Sequence, residues 1–466
     1  MHDAHPYMPN SAPKVKKEML DALGIDCVED IYRDLIPKSL RLPKKMELPA
    51  PIRSEAELKR HMDDLLAKNK VPRLNFLGAG CYRHYVPAVC DEINSRAEFL
   101  TAYVGDTYSD HGKMQAIFEY ASLMAELLDM DAVSYPTFDE SQAVASCLRM
   151  AMRITGRSQI LLPASMHPEV FSQINDYCKY VANIQMVNMT PNGMMDLADL
   201  KTKLSYETAA VLVENPSYLG FIEIQGQAIA DLVHDHGALF IVDARPTTLG
   251  VLAPPAHYGA DMVCGDIQPM GMHIQFGGGH AGYIAVPHDE KFIREIPTYL
   301  YGIAETKTEK EYGWGRALNE RTSHGSREKA KEYFGTGSAL WAITTAVYLA
   351  SMGPKGLQEL GETIMQRTAY AQTRLSQIPG LNSNVFRTSN FQEFVVNFDQ
   401  TGWTVNDVNN ALLTFGIAGG KDLSWDFPDL GQSALYCITD LTTADDIECL
   451  VDALICILSP GGCKHE

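Results

Sequence analysis

Closely spaced CxxC cysteine pairs are missing from this 466-residue chain, which carries ten cysteines. A zinc site or the disulfide framework of a small secreted domain is therefore not expected. Several of the thiols sit in apolar runs, as Cys456 does in Leu-Ile-Cys-Ile-Leu, where buried, reduced cysteine is the ordinary reading. No apolar stretch follows Met-His-Asp-Ala-His-Pro-Tyr at the N-terminus, which argues against a secretory signal, and with the thiols it places the chain in the cytoplasm. The longest uncharged stretch of helical character, residues 338–353, is too short and too rich in Thr, Ser and Gly to cross a bilayer. Basic residues are also scarce: 39 Lys and Arg stand against 58 Asp and Glu, a net charge of −19. Nucleic acid and anionic membrane surfaces are poor partners for such a chain. Neither GxGxxG in a strand–turn–helix setting nor GxxxxGK[ST] occurs, so the Rossmann and phosphate-loop readings fall away.

What is present is an ordinary globular composition, 46% hydrophobic and 21% charged, in three stretches. Residues 1–72 read as a Lys-rich helical arm, with Ser54 and Glu57 in a capping-box pattern ahead of Leu58, Met62 and Leu65. Residues 73–340 alternate short apolar runs with amphipathic stretches. Expected strands are Gln159-Ile-Leu-Leu-Pro, Ala210-Val-Leu-Val-Glu, Ala238-Leu-Phe-Ile-Val-Asp, Asp261-Met-Val-Cys and Ala281-Gly-Tyr-Ile-Ala-Val. Gln227 to His236 reads as a helix with Ile229, Leu232 and Val233 on one face. That alternation predicts an α/β fold, a mostly parallel, doubly wound sheet with ligands at the carboxyl ends of its strands. Residues 341–466 read as a small α+β domain: a helix stopping at Gly353-Pro354, a second from Gly356 to Ser376, strand-like Phe391 to Phe398 and Ser433 to Ile438, and a last helix from Thr442.

Chemistry concentrates between residues 139 and 282. Asp243 ends a buried strand, where a carboxylate could hold a ring N–H⁺ such as that of pyridoxal phosphate (PLP); a loop or capping carboxylate is the plainer alternative. Thr137-Phe-Asp-Glu-Ser-Gln sets Glu140 and Ser141 at a helix start, where amides and the Ser141 hydroxyl could take a phosphate, although an Asp/Ser run is equally an N-cap. His167 follows a strand and could stack on a pyridine ring, or be structural. Asn215 closes the next strand in Glu214-Asn-Pro-Ser. Three consecutive glycines in Gln275-Phe-Gly-Gly-Gly-His suggest a backbone that approaches a ligand or a neighbouring subunit closely. No metal site is expected.

Several segments are similar to subunit 1 of the two-subunit glycine dehydrogenase (decarboxylating), the P-protein of the glycine cleavage system. They are Gly78-Ala-Gly-Cys-Tyr-Arg-His-Tyr-Val-Pro, Ser95-Arg-Ala-Glu-Phe-Leu-Thr-Ala-Tyr, Gln115-Ala-Ile-Phe-Glu-Tyr, Pro254-Pro-Ala-His-Tyr-Gly-Ala-Asp-Met-Val-Cys-Gly and Arg327-Glu-Lys-Ala. The resemblance runs from about residue 10 to 455. It implies the type I PLP-transferase fold and a heterotetrameric assembly in which a second subunit carries the PLP lysine and a lipoyl carrier protein accepts the product of a small amino-acid substrate. It also implies that Gln268, in Asp266-Ile-Gln-Pro-Met, stands where that lysine would be. A carboxamide is neither nucleophilic nor basic enough to condense with the cofactor aldehyde, and Lys329 and Lys331 lie about 60 residues further on. The chain is therefore expected to lack activity alone, with PLP held by the partner and, here, non-covalently by Asp243, His167 and the 139–142 helix start, or not at all.

Two segments depart from the family pattern, residues 104–112 and 331–337, and altered pocket walls shift substrate choice more readily than fold. A divergent paralogue acting on another amine or amino acid, and a non-catalytic scaffold or regulatory subunit, are the alternatives.

Overall fold

Continuous apolar runs make poor surface strands, and the longest of them form the centre of a seven-stranded sheet. The structure is a computed structural model that describes residues 4–5, 7–33, 35–44, 46–100, 111–335 and 337–459. The 104–112 departure lies outside the described residues except at its last two positions, and residue 336 of the second departure lies outside them as well. The chain divides into two compact units, Met1–Lys70 and Val71–Glu466.

The first unit holds the helices Pro13–Leu23, Glu29–Tyr32 and Glu55–Leu66 and has no buried residue among those described. Ser54 is the N-cap of its last helix, but no side-chain hydrogen bond closes the expected capping box. Both partners are exposed, so the free amides there are accessible to water.

In the second unit the strands are β1 (Leu74–Asn75), β2 (Ala132–Val133), β3 (Gln159–Pro163), β4 (Asn183–Val187), β5 (Thr208–Asn215), β6 (Leu239–Ala244), β7 (Met262–Asp266), β8 (Gly282–Val286), β9 (Tyr301–Glu305), β10 (Tyr312–Arg316), β11 (Glu393–Asn397), β12 (Ile417–Ala418), β13 (Lys421–Asp422) and β14 (Ser433–Cys437). The large sheet runs β2-β8-β7-β6-β5-β3-β4, parallel from β7 to β4 and antiparallel at β8 and β2. Period-two alternation divides its side chains between two cores. Val211, Val213, Phe240, Val242 and Val263 face one core, and Ala210, Leu212, Ile241, Met262 and Cys264 face the other. The helices Glu140–Thr155 and Pro168–Cys178 cover the second face. Asp139 caps the former, its carboxylate accepting the Gln142 N–H at 2.8 Å, and Gly156 ends it in the left-handed region.

After residue 376 the chain forms a separate three-stranded antiparallel sheet, β11-β14-β13, packed with the helices Val405–Thr414 and Ala444–Leu458. The last helix starts on a capping box between Thr443 and Asp446. Helix runs from Ala339 to Leu375, broken at Gly353, where φ is +62°. The glycine ends the first stretch, and Pro354 falls in the first turn of the second, where its missing N–H costs nothing. Eight described cysteines are free, but Cys456 is disulfide-bonded, which corrects the expectation of reduced thiols at that position.

Candidate functional site

Strand register assembles the site. Glu214 on β5 pairs directly with Asp243 on β6, and Asp266 ends β7 beside them, so three carboxylates share the carboxyl edge of three adjacent strands. Glu140, the first residue of its helix, contributes a fourth. These acids, with Gly80, Tyr82, His167, Tyr218 and Arg245, line a small cavity of about 30 Å³, room for about one or two water molecules.

Burial dominates the electrostatics. Desolvation, reinforced by Glu140 and Glu214, raises Asp243 well above the ordinary carboxylate range. Burial also pushes Glu214 up to about 8 and, with Asp266 beside it, Glu140 up to about 7. Glu140 and Asp243 line the same cavity and each perturbs the other's titration, so the two carboxyl groups are most stable together when they retain a proton between them. Glu214 accepts the N–H groups of His167 at 2.8 Å and Tyr218 at 3.0 Å, which fixes the loops after β3 and β5.

A polar network closes the cavity on the other side. The Arg245 guanidinium lies 4.1 Å from the Tyr82 ring centroid, donates to the Tyr82 hydroxyl, and pairs with Glu393 at 3.1 Å. Tyr82 in turn donates to Glu393 at 2.8 Å, and Gln392 accepts from Arg245 at 3.2 Å. These bonds tie residues 79–84 to β6 and to the start of β11.

Gln268 is fully buried in the turn after β7. Its Oε1 accepts the Tyr82 N–H at 3.0 Å, while Nε2 donates to the carbonyls of Tyr82 at 2.9 Å and Met272 at 3.2 Å. The side chain pins residue 82 to the strand end and has no donor left for the cavity. Lys331 is engaged with Glu295, and Lys329 is exposed.

The expected site residues separate into groups. Asp243, Glu140 and His167 come together around the cavity, and Ser141 lines an outer vestibule of about 350 Å³ that shares Gly80, Glu140, His167 and Asp266 with it. Asn215 does not join them: its amide is spent on Glu223 N–H and C=O and on the Tyr258 hydroxyl. The His167 ring packs on Tyr218, centroids 4.4 Å apart, takes the Glu169 N–H on Nδ1, and is pushed down to about 4, mainly by burial. The close approach required of the glycine cluster is to the chain itself: a Cβ on Gly279 would meet the His273 carbonyl at 2.4 Å. Tyr82, Arg245 and Glu393 were not anticipated. Asp-Ala-Arg at the end of β6 was the available signal for Arg245, and nothing local marks Glu393.

These residues do not fit PLP. The inner cavity is far below a ligand pocket in size. A phosphate dianion in the vestibule would face Asp139, Glu140, Glu169 and Asp266, with the His280 imidazole as the cationic group of the lining and no lysine or arginine there.

Residues 5–454 match the family described as glycine cleavage system P-protein. The chain is 38% identical over 98% of its length to the probable glycine dehydrogenase (decarboxylating) subunit 1 of Staphylothermus marinus, of which 99% is covered. It is 35% identical over 99% of its length to the protein of the same name in Bacillus pumilus, covered in full. Among solved structures it is similar to an inhibitor-bound glycine decarboxylase (P-protein) of the glycine cleavage system, with a TM-score of 0.83 and 31% identity over 97% of this chain and 99% of that one. A NifS-like protein shares the fold at a TM-score of 0.63 and 13% identity, covering 83% of this chain and 99% of that one.

Proposed function

Since the chain belongs to the glycine cleavage system P-protein family and has the type I PLP-enzyme fold, we propose that it is the subunit 1-like component of a glycine decarboxylase, inactive alone. The decarboxylating centre then belongs to a second, lysine-bearing subunit, and a lipoyl carrier protein takes the one-carbon unit. The observation that carries this reading is Gln268, buried and hydrogen-bonded on both faces of its carboxamide at the end of β7. An amide so engaged offers no nucleophile. The four clustered carboxyl groups support the same reading, because they narrow the space a cofactor would need and favour a proton over a phosphate.

In this assembly residues 1–72 act as an arm, residues 73–340 as the large domain and residues 341–466 as the small one. Residues of this chain brace the heterotetramer, and the assembly works in the cytoplasm.

The test mixes the purified chain with the lysine-bearing subunit from the same source and follows glycine–bicarbonate exchange. Exchange is expected only in the mixture. A bound pair that exchanges no glycine but turns over another amino acid would replace this reading with the divergent paralogue. A yellow adduct of the chain alone that survives borohydride and denaturation would overturn the assignment of Gln268.

A further inference from the structure

The last strand of the large sheet, β2, and the hairpin strand β9 meet without joining one sheet. Just past β2 the Tyr135 N–H donates to the Tyr299 carbonyl at 3.2 Å, and residues 131–133 and 301–303 then line a common cleft of about 690 Å³. Main-chain polarity on both strands points into it. The Ser134 N–H donates to the Ile284 carbonyl at 2.8 Å, so Val133, one residue earlier, turns its N–H and C=O away from β8. In the hairpin, Ala317 N–H bonds the Leu300 carbonyl at 2.8 Å and Thr306 N–H bonds the Glu311 carbonyl at 2.9 Å. Those bonds set the even-numbered residues of β9 toward β10, and Ile303 turns its N–H and C=O away from it.

The walls are apolar. Phe118, Ala121 and Ala125 come from the helix His111–Leu128, and Ile293 and Leu300 belong to the core on the other face of the sheet. Phe118 meets Trp314 of β10 edge-on, centroids 4.9 Å apart, which holds the hairpin to the helix. The rim is acidic: Glu126, Asp129 and Asp131 are exposed there, and among the described residues no lysine or arginine lines the cleft. Asp129 also meets the exposed His257 imidazole at 2.7 Å, and Asp131 accepts the His288 N–H at 2.7 Å. Strand edges recruit another strand, and this charge selects a basic one while a second copy of a chain at −19 is repelled. The cleft shares no residue with the cavity or vestibule beside Asp243, so the inference stands independently of the proposed decarboxylation.

We propose that the cleft between β2 and β9 docks an extended, lysine- or arginine-bearing segment of another protein, which adds there as a strand. Its main chain bonds the outward N–H and C=O groups of Val133 and Ile303, its apolar side chains cover Phe118, Ala121 and Ala125, and its cations reach the acidic rim. The hydrogen bonds supply affinity for extended backbone, and the carboxylates supply the choice of a basic sequence.

The test titrates the full-length chain, by fluorescence anisotropy, into three labelled hexapeptides: alternating lysine and valine, alternating glutamate and valine, and the lysine peptide N-methylated at its valine amides. The lysine peptide is expected to bind with a Kd of about 100 μM or tighter at low salt, and each of the other two about tenfold or more weakly. Glu126→Lys, at an exposed rim position, should weaken the lysine peptide about threefold or more. Ile303→Pro removes an N–H that β10 does not use and should weaken it about tenfold. No binding of the lysine peptide, or equal binding of the lysine and glutamate peptides, would overturn the proposal. So would an N-methylated peptide that binds as tightly as its parent, since charge alone would then explain the contact. Wild-type affinity in Glu126→Lys would remove the site from this cleft. If Ile303→Pro does not fold by circular dichroism, the N-methylated peptide decides the strand pairing alone.

Discussion

Gln268 makes three hydrogen bonds to main-chain atoms in a fully buried position, which gives this residue a measurable structural role. Gln268→Leu keeps the volume but strands the N–H and C=O of Tyr82, each costing about 1–3 kcal/mol. A loss of about 2–5 kcal/mol in urea unfolding is expected, and a loss below about 1 kcal/mol would contradict the pinning role. Protonation of the strand-end acids sets a pH dependence. Glu214, at about 8, and Glu140, at about 7, stay protonated in the fold where the unfolded chain would already have ionised them. Their stabilisation is complete below the ordinary carboxylate range and is lost as pH rises through 7 and 8. His280, raised to about 11, contributes with the same sign above its ordinary 6.5. His167, lowered to about 4, opposes them only below pH 6.5. The melting temperature should therefore fall by about 3 °C or more between pH 6.5 and 9. Glu140→Gln, whose amide can donate to Asp243 at every pH, should flatten that fall; a wild-type melting temperature that holds or rises across the interval would refute the shared-proton account. Asp243 and His167 were legible in the sequence because each closes or follows an apolar run. Tyr82, Arg245 and Glu393 were not, because their meeting depends on residues 311 positions apart in the chain.

Between elements, the tightest point is the turn after β5. Gly220 has φ +88°, and a Cβ there would lie 1.9 Å from the Glu393 carbonyl oxygen, while its own carbonyl accepts the Phe391 N–H at 3.0 Å. Gly220→Ala combines left-handed strain with a backbone clash, so a loss of about 3 kcal/mol or more is expected in denaturant unfolding. A variant as stable as wild type would mean that the turn and β11 separate freely. Elements buried on both faces were easy to find in the sequence: all eight residues of β5 are buried, and so are all five of β3. The edge strand β4 escaped, since Asn183 and Gln185 interrupt its apolar pattern and four of its five residues are exposed or half-buried. So did the β9–β10 hairpin, whose glycines and exposed positions carry no period-two signal. The stop at Gly353-Pro354 was legible too, since the glycine ends one helix and the proline falls in the first turn of the next.

At the scale of the whole chain, the unit Met1–Lys70 sets the last test. Val15, Met19 and Leu23 fall four residues apart on one helix and Leu58 and Met62 on another, all exposed. Helices of 11 and 12 residues without a buried face are marginal in water. Their apolar stripes therefore require a surface, and the proposed second subunit supplies one. In the isolated chain, trypsin is expected to cut first at the exposed Lys38 and Lys44, leaving the unit Val71–Glu466 intact. Adding the second subunit should slow those cuts about tenfold or more, because cleavage follows the population of the open form. Leu58→Glu with Met62→Glu should abolish that protection and weaken association about tenfold, without lowering the melting temperature of the larger unit. If the double variant binds and is protected like wild type, the stripe is not the contact. If the partner binds but leaves the arm as susceptible as before, the arm has no part in assembly, and its exposed apolar residues need another explanation.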